Sequence, residues 1–157
     1  MPAGSDGRSS VSLPLSYRPL GSRVVAGVAA VALVTVVAVL WVNLSDAVQA
    51  KFSLFQRITL IAVFAALIAV LYALFRTSAT ADVVGLRVVN GYKTREFEWA
   101  EVIAISFTPN RPWAWLDLAD GASVAVMAIQ AADGDRASRS ARELAGLIAE
   151  RSRPDRS

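Results

Sequence analysis

Two long apolar runs constrain this chain more than anything else in it. Residues 24–42 read VVAGVAAVALVTVVAVLWV, with Thr35 as the one polar side chain. Residues 58–75 read ITLIAVFAALIAVLYALF, with Thr59 at one edge and Tyr72 near the other. Neither run holds a charge. As helices they rise roughly 27–28 Å, enough with their flanks to cross a bilayer core of ~30 Å. A helix buried in a soluble protein of this size needs no apolar residues on every face. The runs predict a transmembrane helical hairpin over residues 24–75.

At 157 residues there is room beside the hairpin for one small domain. The net charge of +3 gathers at the flanks of the two runs, because from Thr77 onward ten basic residues face eleven acidic ones. That near-neutral segment lacks the clustered positive charge of a nucleic-acid surface. Cys and His are both absent, which removes disulfides, thiolate nucleophiles, imidazole bases and nearly every zinc site. No Gly-rich phosphate loop is present, so no cofactor and no enzymatic activity are expected.

Residues 1–23 are rich in Ser, Gly and Pro without helical periodicity and read as a disordered tail. The first run exceeds a signal-peptide core, so it is expected to be retained. Arg8, Arg18 and Arg23 precede the hairpin and Arg76 and Arg87 follow it, with Lys93 and Arg95 further on; its loop carries Lys51 and Arg57 alone. This bias predicts a two-pass protein of the plasma membrane with both termini cytoplasmic. Ala62, Ala66, Ala69 and Ala73 form one small-residue face, as do Ala26, Gly27, Ala29 and Ala30. Such faces suit close helix packing, unless alanine is merely abundant here.

After Arg76 the period changes from helix to strand, and residues 79–152 read as a small α+β domain. Asn90-Gly91 and Asp120-Gly121 are hairpin turn signals. Between and around them lie strand patterns at 83–89, 94–99, 102–108, 113–118 and 123–127. Ala137, Ala141, Leu144, Ala145 and Ile148 then trace one stripe of a terminal helix that Pro154 ends.

The chain resembles the bacterial PH-domain membrane proteins, in particular the short actinobacterial type of the low-molecular-weight protein antigen family. The resembling residues are Gly85-Leu86-Arg87-Val88-Val89-Asn90, Phe97-Glu98-Trp99-Ala100-Glu101-Val102-Ile103 and Leu116-Asp117-Leu118-Ala119-Asp120-Gly121. The resemblance implies a PH-like antiparallel barrel or sheet sealed by the C-terminal helix. The segment after the hairpin is shorter than a seven-stranded PH barrel, which leaves closure open. Trp99, at strand parity with Phe97, is expected in the core.

Glu96, Glu98 and Glu101 form the densest acidic group, but strand parity places Glu96 and Glu98 on the wet face. Asp133 and Asp135 are too few for a calcium site and read as helix caps. The basic residues Arg76, Arg87, Lys93 and Arg95 are candidates for anionic lipid headgroups; Lys93-Thr94-Arg95 resembles a fragment of the lipid-binding pattern of PH domains. In 113–118, Leu116 and Leu118 read as the core pair, because Asp117 shares the other face with Trp113 and Trp115. That leaves Trp113 and Trp115 beside Arg111 as candidates for lipid or partner contact, unless the helix or linker covers the rings. The reading is a non-catalytic membrane-anchored binding module, its partner a lipid or a membrane or cytoplasmic protein. The alternative is an accessory subunit of a membrane complex assembled through the hairpin.

Overall fold

The computed structural model describes residues 13–108 and 110–152; Arg8, Pro109 and Pro154 lie outside them. Strand β1 (Leu15–Tyr17) comes first, followed by helix α1 (Leu20–Asn43), a short helix α2 (Asp46–Gln49) and helix α3 (Leu54–Arg76). Strands β2 (Ser78–Ala81), β3 (Gly85–Asn90) and β4 (Lys93–Glu98) come next, then a 3-10 turn at Trp99–Glu101. Strands β5 (Val102–Ser106), β6 (Trp113–Leu118) and β7 (Ser123–Gln130), a 3-10 turn at Ala131–Asp133 and helix α4 (Asp135–Arg151) complete the chain.

Both long helices extend past their apolar runs. α3 begins early because Ser53 and Gln56 form a capping box: the Gln56 N–H donates to Ser53 Oγ at 3.2 Å and the Ser53 N–H to Gln56 Oε1 at 3.0 Å. The turn between α1 and α3 is also built. Gln49 Nε2 donates to the Trp41 and Leu44 carbonyls, both at 3.1 Å, and Arg57 donates to those of Gln49 and Phe52.

The helix–helix contact keeps the small-residue face expected on α1 but not the one expected on α3. α1 turns Ala26, Gly27, Ala30, Leu33, Val37 and Trp41 toward α3, whose half-buried residues are Phe64, Ile68, Leu71 and Ala73. Ala62, Ala66 and Ala69 are exposed. Larger side chains fill the gap between the helices, and the last two alanines of the stripe receive a strand turn, described below.

The strands form two antiparallel sheets, ordered β1-β2-β3-β4 and β5-β6-β7. The first strand comes from the segment expected to be a disordered tail. Leu15, Ser16 and Tyr17 pair with Ala81, Thr80 and Ala79 on the far side of the hairpin. Tyr17 and Pro19 are buried, and Leu13 and Leu15 pack against the core. A three-residue strand cannot hold itself together in water, so β1 exists through its partner strand and the core beneath it. The domain thus has four strands in one sheet and three in the other, and the fourth is contributed from before α1. The two helices are an insertion between β1 and β2.

The core lies between the sheets and under α4, with Leu86, Val88, Val102, Leu116, Val126, Leu144 and Ile148 deeply buried. In β6, Ala114, Leu116 and Leu118 are buried and Trp113, Trp115 and Asp117 half-buried. Trp99 is a core residue, but from the 3-10 turn rather than from a strand, and its indole N–H donates to the Asp82 carbonyl at 3.0 Å. Ser152 Oγ lies 2.7 Å from the Val102 carbonyl and 3.0 Å from that of Trp99, sharing its one proton between them and pinning the end of α4 beside that turn. β4 and β5 do not pair, so the barrel is open there. On the opposite side Asn90 bridges the sheets: its Nδ2 donates to the Ala125 carbonyl at 2.6 Å, and its Oδ1 accepts from the Met127 N–H at 3.1 Å.

Candidate functional site: the end of the domain that meets the helices

The chain enters and leaves the domain with almost no slack. Arg18 and Pro19 separate β1 from α1, and Thr77 alone separates α3 from β2. Thr77 is buried; its hydroxyl donates to the Ala73 carbonyl at 3.2 Å and accepts the Gly91 N–H at 3.3 Å. One side chain therefore ties the end of α3 to the β3–β4 turn.

That turn is the Gly91-Tyr92 pair between Asn90 and Lys93. Gly91 has φ 61°, the left-handed conformation that glycine adopts without penalty. A Cβ there would lie 3.4 Å from that of Ala73, so two small residues let the turn rest on the helix. Tyr92 extends along α3 and donates its hydroxyl to the Ala69 carbonyl at 2.6 Å. The Arg76 guanidinium stands 5.9 Å from the ring centres of both Tyr72 and Tyr92.

α1 is tied to the same end of the domain. Its first turn lacks a local side-chain cap, and Asp133 takes that role from across the fold by accepting the Gly21 N–H at 3.0 Å. Asp133 therefore caps the membrane-type helix rather than α4. Arg23 Nε donates to the Phe75 carbonyl at 2.7 Å, and its guanidinium lies 4.4 Å from the centre of the Phe75 ring. A cation is favourable there because the last carbonyls of α3 lack helical donors.

The structure separates the basic candidates. Arg76 and Lys93 lie at this junction. Arg87 is held along the β3–β4 ladder, its guanidinium 2.6 Å from Glu96, and Arg95 is exposed opposite Val88 in the same ladder. Arg111 lies in the loop leading into β6, whose first residue, Trp113, pairs with Gln130. The Pro112 carbonyl accepts the Ala131 N–H at 3.0 Å, which joins this loop to the turn that caps α1. The buried indole N–H of Trp113 has no acceptor among the described residues, and Trp115 lies further along β6 opposite Ala125. Sequence reasoning missed Arg23, Thr77 and Tyr92 because each acts through a distant segment; only the aromatic at a turn tip, Tyr92, carried a local signal.

The opposite end of the domain holds a cleft of about 410 Å³ lined by Asp82, Glu96, Glu98 and Glu101 among others. These carboxylates have structural work. Asp82 Oδ1 accepts the N–H groups of Val84 and Gly85, which hold its carboxyl below the usual aspartate range. Glu101 accepts the Glu98 N–H at 2.8 Å, and Glu96 pairs with Arg87.

Residues 76–147 match the family model described as bacterial PH domain. An uncharacterised protein of Mycobacterium bovis and two of Mycobacterium tuberculosis are each 46% identical over 71 residues, covering 45% of this chain and 46% of theirs. The chain thus spans about half the length of the curated relatives it matches. No solved structure matches it. The family match begins at the last residue of α3, so β1 lies outside it. Residues 76–147 thus carry the match to a bacterial PH domain, entered directly from a helix long and apolar enough to cross a membrane.

Proposed function

We propose that this chain is a non-catalytic binding module carried on a two-helix membrane hairpin, with its PH domain at the cytoplasmic face of the plasma membrane. The observation that carries the reading is the β1–β2 ladder. Its two strands flank the hairpin in sequence and pair with each other, so the segment before α1 and the domain after α3 share one side of the bilayer. The excess of basic residues at that side favours the cytoplasm. The engagement of Asp82, Glu96, Glu98 and Glu101 in turns, caps and an ion pair supports binding over catalysis.

Single-cysteine labelling tests the orientation cleanly, because the natural chain has no cysteine. In intact cells, Ser45→Cys in the outer turn is expected to react with a membrane-impermeant thiol reagent, and Ala122→Cys in the β6–β7 turn only after lysis. The reverse pattern would refute the orientation.

A second reading is favoured by the bare surface of the helices: α3 buries no residue fully and α1 only Ala26. Those faces could seat other membrane proteins, making the chain an accessory subunit. Partners that co-purify with a chain ending at Arg76 would support that reading over a PH-centred one.

A further inference from the structure

The Tyr92–Ala69 hydrogen bond fixes the height of the domain relative to the hairpin. Ala69 precedes the end of α3 by seven residues, so its carbonyl lies about 10 Å down the helix axis from Arg76. The uncharged stretch between Arg57 and Arg76 rises about 27 Å, already slightly less than a bilayer core of ~30 Å. The helix therefore has no spare length with which to slide outward and lift Tyr92 into water. The Gly91-Tyr92 turn sits beside α3 at the inner edge of the lipid headgroup layer, with the Tyr92 hydroxyl reaching toward the hydrocarbon core. Tyrosine suits that depth, and Lys93 can extend its ammonium back toward the phosphates.

Charge is segregated along the same axis. The end that meets the helices carries Arg23, Arg76, Lys93, Arg111 and Arg136 against Asp133, engaged in capping α1, and Asp135 at the start of α4. The far end, at the β2–β3 turn, the 3-10 turn after β4, the β6–β7 turn and the end of α4, carries Asp82, Glu98, Glu101, Asp120 and Glu150 against Arg151. An anionic surface would attract the first end and repel the second.

We infer that the helix-side end of the PH domain is a bilayer-contact surface, with Tyr92 wedged beside α3 at the boundary between headgroups and hydrocarbon and Arg23, Arg76, Lys93 and Arg111 facing anionic lipid. This deepens the membrane reading above and rests on it. It also moves the lipid contact away from Arg87 and Arg95, which lie higher on the β3–β4 ladder.

The test uses the full chain in nanodiscs containing phosphatidylglycerol and phosphatidylcholine. A fluorophore is attached in turn to Thr94→Cys and Asn110→Cys at the helix-side end, Ala122→Cys at the far end and Thr35→Cys within α1. Headgroup spin-labelled lipid is expected to quench positions 94 and 110 at least twofold more than position 122. Acyl-chain spin labels should quench position 35. Equal quenching at 94, 110 and 122, with position 35 still quenched, would overturn the contact surface while leaving the hairpin reading intact. Loss of quenching at position 35 would overturn both. The spin label should also quench position 110 more when carried by phosphatidylglycerol than by phosphatidylcholine, and Lys93→Gln with Arg111→Gln should reduce that difference. Equal quenching by the two lipids in the unsubstituted chain would overturn the anionic preference.

Discussion

Replacing Tyr17 by alanine is expected to destabilise the PH domain by about 3–5 kcal/mol, although Tyr17 lies on the other side of the hairpin from every other strand. The side chain is buried in the core, and its loss leaves a ring-sized cavity between β2 and α4. A domain of about 80 residues holds roughly 4–12 kcal/mol in total, so the effect should be visible as a large fall in unfolding midpoint. Tyr17→Phe should behave in the opposite way. The phenol hydroxyl is buried beside the Glu143 carboxylate without a well-formed hydrogen bond among the described residues, so removing it is expected to be neutral or to stabilise by about 1 kcal/mol. The pH dependence separates the two further. Burial, and secondly the nearby Glu143 carboxylate, push the Tyr17 phenol above its ordinary value of about 10. A group whose folded pKa is raised contributes its stability fully below the unfolded value and loses it as pH rises through the folded one. The native chain should therefore weaken above about pH 10, and Tyr17→Phe should flatten that decline. Denaturant titrations at pH 8 and in the alkaline range measure both effects.

The second large effect concerns the domain boundary. A soluble fragment covering residues 77–152 contains every strand of the matched family segment after its first residue, yet is expected not to fold cooperatively. Without β1 the Ala79 and Ala81 edge is unpaired, the place of Tyr17 is empty, and Leu13, Leu15 and Pro19 no longer cover the core. Joining residues 13–19 to Thr77 through a short Gly/Ser linker in place of the hairpin should restore a single sharp transition. Heteronuclear NMR of the two proteins decides: dispersed amide signals are expected from the linked form and collapsed ones from the fragment. Equally dispersed spectra would mean that β1 is dispensable.

The hairpin was legible because its signal is local and repeated: two charge-free runs of sufficient length. The meander was legible for the same reason, since Asn90-Gly91 and Asp120-Gly121 announce their turns within a few residues. β1 was not. Leu15-Ser16-Tyr17 is three residues in a Ser- and Pro-rich stretch, and what makes it a strand is a partner beyond both helices. The alanine face of α3 misled for a related reason. Small residues show that a backbone comes close but not which one, and at Ala73 it is a β-turn rather than α1. The residue type of Asp133 suggests a cap, whereas the helix it caps is fixed only by the fold. The lipid-facing set shows the same division. Arg76 and Lys93 stand where their proximity to the membrane run suggests, but Arg87 and Arg95 follow the ladder away from it.

The central claim is that the hairpin interrupts the PH domain between its first and second strands, and a disulfide across that interruption tests it most directly. Ser16 and Thr80 are directly opposed in the β1–β2 ladder on the face away from the core. Directly opposed strand residues suit disulfide geometry. The Ser16→Cys/Thr80→Cys variant, oxidised in native membranes and then cleaved by protease in the outer turn, is expected to keep its two halves joined until reduced. The Ser16→Cys/Ala122→Cys variant, which reaches to the far end of the domain, should fall apart. If the 16–80 pair does not cross-link while an Arg87→Cys/Glu96→Cys pair within the β3–β4 ladder forms readily, the first strand does not come from before the hairpin and the account fails.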